Sequence, residues 1–386
     1  MKLSKSFIGL VTVSTIFMLY ASGLYTNFQS DSALEIIDFS IDKPAGEKNI
    51  PSNPDRVPLY GDLHVHTKYS FDAYIFGVTA TPYDAYKYAI GEAIKHPLGF
   101  DMKLKEPLDF YAVTDHGFYM GMIENYADTS SKMSKNEWTK PMHNLNRPEN
   151  VTVESLGARA DLFSSVLTQA IIKPYPYWHP KVWKAWLTNN IQVALQSFDY
   201  DVHKSAWADV ANAAEEFNDP GKFTTFIGYE FTTSTDVEGG NLHRNVIFNS
   251  SDAPIRPWTR IDSINPEDLW TWMDGLRDQG VDSLAMPHNS NGSNGQMFEV
   301  ETFRGSPISK EYSEKRMRNE PVVEITQIKG TSDTHPLLSP DDEWADFEIM
   351  DKRVGSRPPT YSMPQGGYVR DAFLRGLTLE WKGQGN

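Results

Sequence analysis

The feature that most constrains this chain is a rhythm. Short apolar or β-branched runs recur along it, helical segments separate them, and most of the runs end beside a histidine or an acid. The runs lie near Pro58 to Leu63, Leu108 to Thr114, Phe223 to Phe231, Asn245 to Phe248, Asp282 to Met286 and Val322 to Ile328. Thr81 and Pro82 open a helix with apolar Tyr83, Tyr86, Ile90 and Ile94, and Asn265 and Pro266 open another that Gly280 closes. Strands separated by helices pair mainly in parallel, because a parallel neighbour needs a crossover. The rhythm therefore predicts an α/β fold, either a barrel or a doubly wound sheet. With 386 residues, 40% of them hydrophobic, the chain can bury one large core of this kind.

Residues 56–386 are expected to form that domain, with a long insertion over about 118–222 that leaves a strand end. The insertion carries Trp178, Trp183, Trp186 and Trp207 and a helical stretch from about Ser205 to Phe217. Two readings stand for it: a lid over the reactive rim, or a helical subdomain packed by its tryptophans. Before the domain, Lys2 and Lys5 precede an apolar run from Phe7 to Leu19 and the small residues Ala21, Ser22 and Gly23. That layout predicts a secretory signal over 1–23, with an uncleaved anchor from Phe7 to Leu24 as the alternative. Residues 24–55 are expected to be linker, the Pro- and Asn-rich stretch from Lys43 to Asp55 above all.

Composition narrows the chemistry. Lys and Arg total 36 against 51 Asp and Glu, a net charge of −15 that repels nucleic-acid phosphates. There is no cysteine. Thiol catalysis, disulfides and cysteine metal sites are excluded, so any metal must be held by His, Asp, Glu and carbonyl oxygens.

In GDLHVHTKYSFD, residues 61–72, His64 and His66 stand two apart on an extended backbone and project from one face. Such a pair suits a first-row metal, or is simply structural; Asp72, reached by a turn, adds a carboxylate. In VTDHG the spacing does not decide between Asp115 and His116. His116 is the expected ligand, and Asp115 the acid that orients an imidazole from behind. Glu230 in GYEF offers a carboxylate able to bridge two ions, or else an ion pair within an apolar strand. His243 in NLHRNVIF opens the next run as a ligand or an exposed edge residue, and His288 in AMPHNSNGSNGQ leads into a flexible loop. Arg244, Lys329 and His335 are candidates for gripping an anionic substrate, with surface charge as the competing reading.

The ordered strings DLHVHTKYSFD, TDHG, GYEF with His243 following, and PHN resemble the metal motifs of the polymerase and histidinol phosphatase (PHP) superfamily. With QIKGTSDTHP (327–336) and YVRDAFLRGL (368–377), the likeness extends to an exported bacterial PHP-like family described only as a domain of unknown function. It covers nearly everything after Arg56. The resemblance implies a distorted PHP-type (β/α)7 barrel and two or three divalent ions, Zn, Mn or Fe. It also implies the metal ligands His64, His66, Asp72, His116, Glu230, His243 and His288. The superfamily closes on an Asp-x-His after its last strand, expected here beyond YVRDAFLRGL, whereas the sequence stops at Asn386. On that comparison either the chain is a C-terminally truncated member without its last strand, or Asp333 and His335 serve instead.

The function expected is hydrolysis of phosphate or sulfate esters of small molecules by a metal-bridging hydroxide, since PHP members cleave phosphoesters and exported relatives are associated with phosphatase and arylsulfatase activities. Two divalent ions would outweigh the charges of Asp72 and Glu230, leaving a positive site that admits a small anion into a negative protein. The ester is the expected partner, nucleic acid is not, and a membrane is one only if the N-terminal segment stays uncleaved. The expected location is the periplasm or cell envelope of a bacterium. Two other readings remain. An amidohydrolase-type barrel also begins with His-x-His but expects a lysine where Glu230 stands, and an exported binding protein or inactive relative would have an incomplete metal site.

Overall fold

The computed structural model describes residues 33–41, 56–169, 198–234, 240–353 and 359–384. The expected signal or anchor, most of the expected linker, and Trp178, Trp183 and Trp186 lie outside the described residues. Among the described residues no helix is long and apolar enough to cross a membrane.

The described strands are, in chain order, β1 (Ile36–Asp38), β2 (Gly61–Val65), β3 (Ile94–Lys95), β4 (Asp101–Met102), β5 (Phe110–Val113), β6 (Thr224–Thr225), β7 (Gly228–Phe231), β8 (Arg244–Phe248), β9 (Asp252–Pro254), β10 (Ser283–Pro287), β11 (Thr326–Gln327) and β12 (Gly330–Thr331). The fold is mixed α/β with several small sheets and, among the described residues, no closed barrel. A parallel sheet has the order β2-β5-β6, and an antiparallel one the order β10-β8-β7. The two meet where the chain passes from β6 to β7. There Glu230 N–H donates to the Asp115 carbonyl at 2.9 Å, and Gly117 N–H donates to the Glu230 carbonyl at 2.8 Å.

Parallel pairing thus holds for only one of the two sheets. β8 is antiparallel to both neighbours, and the antiparallel pairing with β7 continues past the strands, Leu242 N–H bonding the Thr233 carbonyl at 3.0 Å. This reversal matters for the site, since it brings the start of β8 to the rim formed by the C-terminal ends of β7 and β10. At that rim the two sheets converge. Asn245 Nδ2 on β8 donates to the Leu63 carbonyl on β2 at 3.1 Å, and the ring centroids of His64 and His288 are 4.0 Å apart.

Three further sequence expectations need correction: the first is Ile94, expected in the helix opened by Pro82, which instead begins β3 because that helix ends at Ala89. Of Val322 to Ile328, only Thr326–Gln327 is strand, paired in a hairpin with Gly330–Thr331, because Val322, Ile325 and Ile328 are exposed rather than facing a core. In the span expected as linker, Ile36–Asp38 forms β1 and pairs antiparallel with β9, so this piece belongs to the folded body.

The helices start where their caps dictate. Thr81 and Asp84 make a reciprocal capping box ahead of Pro82–Ala89, and Asn265 Oδ1 accepts from Glu267 N–H at 2.9 Å ahead of Pro266–Arg277. Gly280 follows at φ 91°, a conformation that favours glycine. Asp199 caps Tyr200–Phe217, so that helix begins ahead of the expected Ser205. The main core packs Val113, Tyr229, Phe231, Val246 and Phe248 against Tyr86, Trp207 and Trp272. Trp207 belongs to this core and donates Nε1–H to the Pro254 carbonyl at 2.7 Å. Truncating so large a buried ring costs about 3–5 kcal/mol. The described part of the insertion is helical, as expected, and has its own cluster, in which Phe118, Met122 and Tyr126 pack on Phe71 and Ile75. Phe163 stacks on Phe71 at 5.8 Å, so the insertion buttresses the short helix Phe71–Ile75 that carries Asp72.

Candidate metal centre

All seven expected ligands meet at one rim. Glu230, on β7 and 1% exposed, is their hub. Its Oε2 lies 3.6 Å from His64 Nε2 and 3.2 Å from His66 Nε2. Its Oε1 lies 3.1 Å from His116 Nδ1, 2.7 Å from His243 Nδ1 and 3.4 Å from His288 Nε2. Asp72 joins through His116, with Oδ2 at 3.1 Å from Nε2.

Hydrogen bonding decides which nitrogens are available. His64 Nδ1 meets Glu324 Oε2 at 2.8 Å, and a carboxylate only accepts, so Nδ1 carries a proton and Nε2 is the nitrogen left for a second proton or a metal. Around His66 the Ser70 hydroxyl settles the tautomer. It donates to Asp115 Oδ1 at 2.8 Å and accepts from His116 N–H at 2.9 Å, which leaves it to accept from His66 Nδ1 at 2.7 Å. His116 Nδ1 contacts the Thr232 hydroxyl. Three imidazoles therefore use Nδ1 on the protein and aim Nε2 at a carboxylate oxygen. A lone pair facing a carboxylate is repulsive unless a proton or a metal lies between them.

Two further histidines lack even that support. Both nitrogens of His288, which is 0% exposed, have no hydrogen-bond partner, and His243 Nδ1 sits near Glu230 without hydrogen-bond geometry. Burial pushes His243 and His288 down, His288 far below the ordinary imidazole range, although Glu230 pulls both upward. For His64, burial is outweighed by Glu230 and Glu324, which raise it to about 9; for His116 it is outweighed by Asp72 and Glu230, which raise it to about 10. Burial would raise Asp72 and Glu230, yet His116 is the foremost charge holding each of them down.

Among the described residues, side chains of this kind fall into four overlapping groups that could hold a metal ion. They are His64, His66 and Glu230; His66, Asp72 and His116; His116, Glu230 and His243; and His64, His288 and Glu324. Groups that share a histidine would compete for it, because one imidazole lone pair serves one ion, whereas Glu230, a member of two groups, has two carboxylate oxygens to offer. The donor set of imidazoles and carboxylates fits first-row divalent ions.

The remaining expectations divide. Asp115 is buried and bonds no imidazole directly; it accepts from the Ser70 hydroxyl at 2.8 Å and from Thr67 N–H and the Thr67 hydroxyl, each at 2.6 Å. Lys329 occupies the two-residue turn between β11 and β12, half-buried, and its charge bears on His243. Arg244 is corrected: it is buried on the opposite side of β8 from the centre, where Nε pairs with Glu320 at 2.7 Å and Nη1 donates to the Leu242 carbonyl. Alternation along a strand explains this, because His243 and Arg244 are consecutive and must diverge. Asp333 pairs with Arg370 at 2.6 Å, and His335 lies against Tyr368 with Nδ1 accepting from Leu337 N–H. Neither is in any of the four groups. Glu324 is the participant missed in the sequence. Its apolar neighbours concealed it, and no local spacing relates it to His64, 260 residues away.

A mixed α/β body carrying a buried histidine–carboxylate centre thus defines the class. The chain belongs to the family described as Protein of unknown function (DUF3604), whose model matches residues 53–386. No curated protein and no solved structure matches it.

Proposed function

We propose that the protein is a metal-dependent hydrolase of phosphate or sulfate esters of small molecules. The observation that carries this reading is the ring of imidazoles about Glu230, with His64, His66 and His116 held by Nδ1 and turned by Nε2 toward carboxylates. Bound divalent ions would lower the pKa of a water and stabilise the charge of the leaving oxygen. Glu230 and the histidines would hold those ions, and Asp72 would complete the set beside His116. Glu324 and Ser70 fix the ring orientations of His64 and His66. Lys329, at the turn facing His243, would attract the ester's anionic group. The same reading takes the two sheets as parts of a distorted PHP-type barrel, which the convergence of β2 and β10 at the rim supports. It also takes the protein as exported, which the apolar run after Lys2 and Lys5 supports.

The experiment pairs two measurements on the purified full chain. Metal content per chain is read by plasma mass spectrometry, and turnover of aryl phosphate and aryl sulfate esters is read with Zn, Mn or Fe supplied. Two or more ions per chain together with hydrolysis of either ester is the expected result. Tightly bound metal with no turnover of either ester would instead favour a binding protein, and no bound metal at all would sink the reading.

A further inference from the structure

We propose that Asn289 and Ser290 form an anion-binding pair in the centre, donating hydrogen bonds to the non-bridging oxygens of a phosphate or sulfate group. This rests on the ester-hydrolase reading and names the part of the site that recognises the ester.

The loop after β10 reads HNSNGSNGQ over residues 288–296, and its polar side chains have two distinct fates. Asn291 Nδ2 lies 3.0 Å from the Lys329 carbonyl and 3.1 Å from that of Met350. Ser293 Oγ accepts from Met297 N–H at 3.2 Å, and Asn294 Oδ1 accepts from Met363 N–H at 3.0 Å. These three hold the loop together. Asn289 and Ser290 do not, although they are 1% and 0% exposed. Both amide atoms of Asn289 and the hydroxyl of Ser290 are buried without a partner. Buried polar side chains are nearly always paired, so three such atoms on consecutive residues mark a place for a partner from outside the chain.

Asn289 has φ 54°, as does Asn294 in the same loop, a left-handed conformation that asparagine adopts more readily than most residues. Gly292 N–H to the Asn289 carbonyl and Ser293 N–H to the Ser290 carbonyl, both 3.0 Å, keep it there. The pair follows His288 directly, and the His288 ring lies 4.0 Å from that of His64, so the backbone of the pair borders the centre. Asn291 ties the same loop to Lys329.

The chemistry of these side chains favours an oxyanion. A carboxamide N–H and a hydroxyl are neutral donors, and within a buried site such donors stabilise negative charge strongly without titrating. The loop contains no Asp or Glu that would oppose an anion.

The test titrates inorganic phosphate and inorganic sulfate into the metal-loaded full chain by calorimetry, for wild type, Asn289→Gly, Asn289→Asp and Ser290→Ala. Glycine keeps the positive φ while deleting the side chain, and aspartate keeps the shape while reversing the preference. Each truncation is expected to weaken binding of the favoured anion about tenfold, and N289D to weaken it further, with metal content unchanged. KM for an aryl ester should rise in the same order. Wild-type anion binding that none of the three variants alters would overturn the pair alone. So would loss of metal in N289G and S290A, which would make these residues supports of the ligand set. A wild type that binds metal but neither anion would overturn the pair together with the ester-hydrolase reading.

Discussion

Two glutamates sit buried on either side of β8, and their surroundings could hardly differ more. Glu320, 8% exposed, receives Arg244 Nε at 2.7 Å, Arg316 Nε at 3.1 Å and Trp270 Nε1 at 2.8 Å. Each partner there is a fixed donor, so the carboxylate is fully answered by the chain. Glu230 instead faces five imidazoles, three of them with Nδ1 already engaged and others with no hydrogen bond. A closed polar network specifies structure, whereas an open one within a core is costly unless something arrives to complete it. The first glutamate belongs to the fold; the second, on the hydrolase reading, would hold metal.

That contrast can be broken by paired substitutions. The largest effect is expected from Glu230→Gln. Bound metal should be lost and ester turnover should fall below detection. The metal-dependent part of stability, about 2.7 kcal/mol at a metal concentration a hundred times Kd, should vanish while the chelated protein stays folded. Unchanged metal content by mass spectrometry would remove Glu230 as the hub. Glu320→Gln should do the reverse, costing about 3–5 kcal/mol in urea denaturation with and without metal, because Arg244 and Arg316 are left as buried charges. Burial would raise Glu320, but Arg244 and Arg316 hold its pKa below the ordinary value. A lowered carboxyl stabilises the fold above its unfolded pKa and stops doing so as pH falls through the folded one. The wild type should therefore lose stability on acidification, and E320Q should lack that component.

Smaller effects sharpen the comparison. Glu324→Ala removes the acceptor that fixes His64 and should weaken metal affinity by about 10–100-fold, read by competition with a chelating dye. An affinity equal to wild type would show that His64 is oriented without it. Smallest of all, Asn265→Ala deletes the cap of the helix Pro266–Arg277, which also carries Trp270 of the Glu320 network. It should cost about 1 kcal/mol of unfolding free energy and leave metal content and turnover untouched.

Most of the centre was legible because its residues announce themselves locally. His64 and His66 share a face by strand alternation, and His116, Glu230 and His288 fall at or near the ends of apolar runs. The helices from Pro82 and Pro266 were legible for the same kind of reason, since a capping side chain acts within its own turn. Glu324 was not, because its contact with His64 is purely tertiary. The misreading of Arg244 came from proximity in sequence to His243, which in a strand means opposite faces. Val322 to Ile328 had the composition of a strand, but composition does not supply a neighbour to pair with.

The sequence by itself determined the kinds of donors, the absence of thiol chemistry and the alternation of strand and helix, all of which depend on residue type and short spacing. Only the tertiary structure decided that β8 runs backward and so delivers His243 to the rim. It alone decided that Glu324 stands behind His64, and that Asn289 and Ser290 are left buried without partners. Such facts depend on which distant segments meet, and that is settled by packing the whole core at once rather than by any stretch of chain.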